Sequence, residues 1–256
     1  MEISEKDISS DNWNVQKLRF TLFPHQTYEF DLEWWIKIFG TESESYKFDR
    51  RLNRHHFEGE FHDGIMNLDI NPLRIDFNYI ANKTNSISQM CDLYLGSIDD
   101  EFPIFISSIN DFLELENCPN AHRIAFATTL FIPTESRTTG YKLLSKYLST
   151  VEIDPENSSD FMYQINRRRS SSIVEGLLIN RLTKWHVIQY QSTLLSSPPS
   201  GQRVYSLEDN EYSVNVDLDI NSQQDYKSIL DPNVQALLLE EFVNFSIEIS
   251  EKGDIP

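Results

Sequence analysis

Two stretches pose the folding problem for this chain. VQKLRFTLFP (15–24) and AHRIAFATTLFIP (121–133) both alternate at the period of a β-strand, and both end in an apolar residue followed by proline. Each is followed by a helical pattern, then by about three strand-like segments, then by a second helical pattern. In the first half, FDLEWWIKIFG (30–40) reads as a short helix. Asp31 is its cap, Leu32, Trp35, Ile36 and Phe39 form one face, and Gly40 is its stop. HHFEGEFHDGIMNLDINPLRIDFNYIAN (55–82) reads as a three-stranded meander that breaks at His62-Asp63-Gly64 and at Asn71-Pro72. SIDDEFPIFISSINDFLELE (97–116) closes the half as a helix capped by Asp99 or Asp100, with Pro103 in its first turn.

The second half repeats the order. TESRTTGYKLLSKYLS (134–149) is helical, with Tyr141, Leu144, Tyr147 and Leu148 on one side. SSDFMYQINRRR (158–169), VEGLLINRLTKWHVIQYQS (174–192) and YSVNVDLDI (212–220) are strands, and LSSPPSGQ (195–202) is an exposed loop. DPNVQALLLEEFVNFSIEIS (231–250) is a helix started by Asp231 and Pro232, with Val234, Leu237, Leu238, Phe242, Phe245 and Ile249 as its stripe. The expectation is an α+β fold of two pseudo-repeated strand-helix-three-strand-helix halves, about 13–117 and 118–256. Their antiparallel sheets would be covered by helices on one face, forming a single domain behind a flexible leader at 1–12. No linker separates the halves, because LENCPNAHR (115–123) is short.

Composition narrows the class. With 40 acids against 22 bases the net charge is -18, so bulk nucleic acid is repelled except at a local basic patch. No apolar run approaches the roughly 20 residues that span a bilayer. The polar N-terminus and two isolated cysteines, Cys91 and Cys118, fit a cytoplasmic protein with reduced thiols. Only 8 glycines are present and none forms a phosphate loop, which excludes nucleotide folds of the P-loop or Rossmann type. There is no Gly-x-Ser-x-Gly elbow and no cysteine in a nucleophile context, so no cofactor or catalytic set is expected.

One segment runs against the charge. FMYQINRRRSSSIVEGLLINRLTKW (161–185) contains Ile-Asn-Arg twice, and places Arg167, Arg168, Arg169, Arg181 and Lys184 against the single acid Glu175. In extended strands Tyr163, Ile165, Arg167 and Arg169 share one face, as do Ile179, Arg181, Thr183 and Trp185. Guanidiniums so arranged can clamp a phosphate, a carboxylate or an acidic partner, and Trp185 can stack. The plainer alternative is that they pair with the protein's own carboxylates. Asn166 and Asn180 have poor strand propensity, so each calls for a specific hydrogen bond.

Metal chemistry has weaker support. His56 and Glu58 alternate onto one strand face, and Asp69 and Asp76 lie on neighbouring strands, as carboxylates do in magnesium-dependent nucleases. Lys83 is misplaced for such a site, and Arg74 offers an ordinary ion pair instead. Asp217 and Asp219 either hold a cation or sit as solvated acids at a sheet edge.

LDINPLRIDFNY, SSDFMYQINRRRSSS and LLINRLTKWHV resemble blocks of a family of uncharacterised bacterial proteins of about this length. The closing strand and helix, LDI…LLLEEFVNFSIEI, are similar in layout to a broader, sporadically distributed bacterial group. The resemblance spans roughly residues 15–250 and brings no activity or catalytic residues. A sporadic distribution implies mobile cargo such as a defence or toxin–antitoxin locus. The expectation is a non-enzymatic subunit of a bacterial complex, binding an acidic or phosphate-bearing protein partner through the hairpin. Its site residues would be Arg167, Arg168, Arg169, Arg181, Lys184, Trp185, Asn166 and Asn180, with nucleic acid met only there. The alternatives are a metal-dependent hydrolase or nuclease, and an acidic inhibitor or immunity-type protein that mimics nucleic acid.

Overall fold

The computed structural model describes residues 13–82, 94–190, 193–196, 204–207 and 211–256. The expected leader, Lys83, Cys91 and most of the expected loop after Leu195 lie outside them. In chain order the elements are β1 (Asn14–Pro24), α1 (Trp34–Phe39), β2 (Ser45–Asp49), β3 (Arg54–Phe61), β4 (Gly64–Asn71), β5 (Arg74–Ala81), β6 (Gly96–Ser97) and α2 (Ile98–Leu113). Then come β7 (Ala121–Thr134), α3 (Arg137–Tyr147), β8 (Met162–Ser170), β9 (Leu178–Tyr190), β10 (Thr193–Ser196), β11 (Val204–Leu207), β12 (Glu211–Ser222) and α4 (Pro232–Lys252).

The fold is α+β, built on one continuous sheet rather than one sheet per half. Its strand order is β2-β3-β4-β5-β1-β7-β12-β9-β8, with β6 beside β1 and the β10–β11 hairpin separate. Every pairing among the described residues is antiparallel. β1 lies beside β5, and β7 lies beside β12. β1 and β7 then join the halves, with Leu18 opposite Thr128, Phe20 opposite Phe126 and Leu22 opposite Ile124.

Because side chains alternate along each strand, these registers put Phe20, Phe77, Phe126, Leu218 and Trp185 on one face. The four helices pack there. Trp34 of α1 meets Phe112 at 5.3 Å and Trp35 meets Phe57 at 6.2 Å. In α2, Phe112 lies 5.1 Å from Phe77 and Phe102 lies 5.5 Å from Phe126. Tyr147 of α3 stacks on Trp185 at 5.5 Å, while Trp13 donates its indole N–H to the Ser250 carbonyl of α4 at 2.8 Å. All these rings are buried, and burying one aromatic side chain contributes about 1.5–3 kcal/mol. None of the four helices covers the opposite face at these contacts.

Local chemistry departs from the sequence expectations in four places. Asp31 accepts from the Glu33 N–H in a turn rather than capping α1, so the helix starts later and buries Trp34, Trp35 and Ile38. Leu32 and Ile36 are left 57 % and 47 % exposed. Gly40, at φ 72°, ends the helix as expected. In α2 the cap is Ser97, whose hydroxyl accepts from the Asp100 N–H at 3.2 Å. Asp99 and Asp100 instead sit in the first turn near the positive end of the helix dipole, and Pro103 lies one turn further in. β2 went unread because SYKFD is only five residues long and mostly exposed. It is held at the sheet edge by Tyr46 on Phe57 (4.8 Å) and Phe48 on His55 (4.5 Å). Leu237 lies off the buried stripe of α4, 48 % exposed.

Candidate functional site: the two faces of the β8–β9 hairpin

The hairpin pairs Tyr163 with Trp185, Ile165 with Thr183, Arg167 with Arg181 and Arg169 with Ile179. That set faces the helices. Arg167 makes a two-pronged contact with Asp254, Nε to Oδ1 at 3.0 Å and Nη2 to Oδ2 at 2.9 Å, and the Tyr163 hydroxyl donates to Oδ2 at 3.0 Å. The Asp254 side chain is 1 % exposed. The Arg167 hydrogen bonds outweigh burial and hold its carboxyl below the usual range.

Arg169 donates to Glu248 at 2.8 Å and to the Pro256 carbonyl at 3.1 Å, and lies over the Phe245 ring at 5.2 Å. Arg181 is 1 % exposed and donates to the carbonyls of Arg167 and Ile255 at 3.1 and 3.4 Å. Burial, with the like charge of Arg169 behind it, pushes its pKa down. Trp185 is fully buried, out of reach of any surface ligand. At the hairpin tip, Ser171 and Ser172 hold Glu241 of α4 through two hydroxyls at 2.6 and 2.7 Å and one backbone N–H at 2.6 Å. Arg167, Arg169, Arg181 and Trp185 therefore anchor α4 and the segment after it. The self-pairing alternative describes this face.

The other face differs. Register aligns Arg168, Asn180, Asn221 and Ala125 across β8, β9, β12 and β7. Asn180 Oδ1 accepts from Arg168 Nε at 3.1 Å and from Asn166 Nδ2 at 3.0 Å. Asn180 Nδ2 and Arg123 Nη2 both donate to Asn221 Oδ1 at 3.0 Å. Asn221 in turn donates to Asp219 at 2.8 Å, and Asp219 accepts from Arg19 at 3.1 Å. The unusual mid-strand asparagines are thus cross-strand bridges, and they orient two guanidiniums. Arg123 also lies over the Phe23 ring at 5.1 Å. Among the described residues, neither Arg123 nor Arg168 has a carboxylate within ion-pair distance.

Two adjoining troughs occupy this face and share Leu182. One, of ≈ 320 Å³, is lined by Arg123, Arg168, Asn166, Asn180, Asn221 and Gln223, among others. The second, of ≈ 240 Å³, crosses from Lys17 and Arg19 on β1 past Ala127 to Lys184 and Gln164 on β9 and β8, with Asp217 and Asp219 in its wall. Lys184 reaches Asp217 only at 3.7 Å. Burial, then Arg19, lowers the Lys17 pKa, against a smaller opposing pull from Asp76.

The metal candidates sit on the far half of the same open face, each with a partner of its own. Asp69 accepts from Arg54 at 2.9 Å and meets His56 Nδ1 at 2.9 Å, with Glu58 4.0 Å from His56. Asp76 accepts from Thr21 at 2.6 Å and pairs with Arg74. No cluster of three or more metal-competent side chains forms among the described residues. Sequence reasoning missed Arg123, Asn221, Lys17, Arg19 and Gln164. One signal was present: β7 carries Arg123, Ala125, Ala127 and Thr129 at period two, an outward face with small floor residues beside a cation.

No helix among the described residues is long and apolar enough to cross a membrane. No protein-family model matches the chain, and no curated protein matches it in sequence.

Proposed function

We propose that this protein is a non-enzymatic binding subunit of a bacterial complex, working in the cytoplasm, and that it docks an acidic or phosphate-bearing partner on its open sheet face. The contact is centred on Arg123 and Arg168, with Asn166, Asn180 and Lys184 beside them, and not on Arg167, Arg169, Arg181 and Trp185. The observation that carries this reading is how the two guanidiniums are held. Asparagine oxygens fix them, so they keep their charge unspent and lose little freedom on binding. In a chain of net charge -18, two such arginines lining one trough form a local attraction for anions.

The bridging asparagines add a donor bias. Their carbonyl oxygens are consumed within the network, and guanidinium N–H groups remain to face the trough. In this account the two halves are a duplicated unit whose fusion at β1–β7 made the sheet wide enough to serve as a platform. Support comes from the matching positions of β1 beside β5 and β7 beside β12.

The test is affinity capture from the native host of wild type and of the Arg123→Glu/Arg168→Glu double variant, with folding of the variant checked by circular dichroism. A defined partner lost at least tenfold in the folded variant supports the assignment. Undiminished capture overturns it.

A further inference from the structure

Resting on that docking face, we infer that its occupant is an extended acidic segment of a partner protein, laid along both troughs across β1, β7, β12, β9 and β8, and not a nucleic acid. The smaller trough draws on all five strands, from Lys17 to Gln164. At strand spacing this is a path of about 19 Å, or roughly six residues of extended peptide. Its charges are interspersed: Asp217, Asp219 and Asp225 line the troughs among Lys17, Arg19, Arg123, Arg168 and Lys184. A strand of evenly charged phosphates would meet repulsion at each of the three acids. A peptide can place one or two carboxylates at the arginines and present neutral or N–H groups to the acids.

Two further features fit a peptide. Among the described residues no aromatic side chain lines either trough, so there bases find no stacking platform, which is the usual source of sequence-tolerant single-strand affinity. Where the troughs meet, Leu182 offers an apolar step that suits a side chain. Arg168 and Arg123 would take the carboxylates, with Gln164 and Gln223 left to meet peptide amide groups.

The experiment places photo-crosslinking p-benzoylphenylalanine at position 182 of the full chain in its native host, with a control at the exposed helix-face residue Leu237. The expected result is a nuclease-resistant protein adduct at 182 and not at 237, reduced at least tenfold by Arg168→Glu. The crosslinked partner peptide should carry Asp or Glu within about six residues of the crosslink, the length set by the strand spacing. A nuclease-sensitive adduct overturns the peptide assignment and leaves the docking face standing. The peptide assignment also falls alone if no adduct forms at 182 while Arg123→Glu/Arg168→Glu still releases a captured partner. An adduct indifferent to Arg168→Glu, with capture equally indifferent, overturns both.

Discussion

Arg167 sends its guanidinium onto Asp254 just past the end of α4, whereas Arg168, the next residue, sends its own into a trough on the opposite face and meets Asn180. The two differ by one position in a strand, and the period of two turns that difference into opposite environments. On the helix side, charge is enclosed and matched: Arg167 to Asp254, Arg169 to Glu248, the hairpin serines to Glu241. On the open side Arg123 and Arg168 are held by neutral amides, without a carboxylate within ion-pair distance among the described residues. A run of three arginines thus splits into two that anchor the helix side and one that faces outward, and residue type alone does not say which is which.

The contrast can be broken by mutation, starting with the helix side, where effects are largest. Trp185→Ala removes a ring packed on Tyr147 and Trp13, and should cost about 3–5 kcal/mol in urea unfolding. Asp254→Ala leaves Arg167 without its buried partner and should cost about 3 kcal/mol. Arg181→Met tests the anchor differently. Its Nη1 has no partner among the described residues and its pKa is lowered by burial, so an apolar replacement of similar length should be neutral or stabilising by about 1 kcal/mol.

Acid titration sharpens the same comparison. The folded pKa of Asp254 is depressed, chiefly by Arg167. Its contribution to stability is therefore complete above the unfolded carboxylate value of about 3.9 and is lost as pH falls through the lower folded value. Urea midpoints measured from neutrality down to about pH 3, below that reference value, should fall less steeply for Asp254→Asn than for wild type. The smallest stability effect belongs to the open face. Arg168→Ala should change unfolding free energy by less than about 0.5 kcal/mol, because an exposed side chain held by one amide contributes little.

The sequence made particular pieces of this legible. The meander β3–β5 could be read from His62-Asp63-Gly64 and Asn71-Pro72, and alternation set Arg167 with Arg169 and Arg181 with Trp185, while the β8–β9 register joined the two sets on one face. The need of Asn166 and Asn180 for hydrogen bonds was also readable, and both make them. What alternation cannot report is which face a helix will cover. That depends on α4 and the residues just after it returning Glu248 and Asp254 from roughly 80 residues away, a pairing with no local signature. Arg123 and Asn221 were hidden for the same reason, since they join the hairpin only through the order β7-β12-β9-β8. β2 was hidden because it is short and its edge position leaves it mostly exposed.

The central claim is that the arginines divide by face, and urea unfolding of two charge-reversed proteins tests it most directly. Arg167→Glu/Arg169→Glu sets new carboxylates against Asp254 and Glu248, so the account predicts a loss of at least about 3 kcal/mol. Arg123→Glu/Arg168→Glu should unfold within about 1 kcal/mol of wild type. Equal losses in the two proteins, or a larger loss in the second, would contradict it.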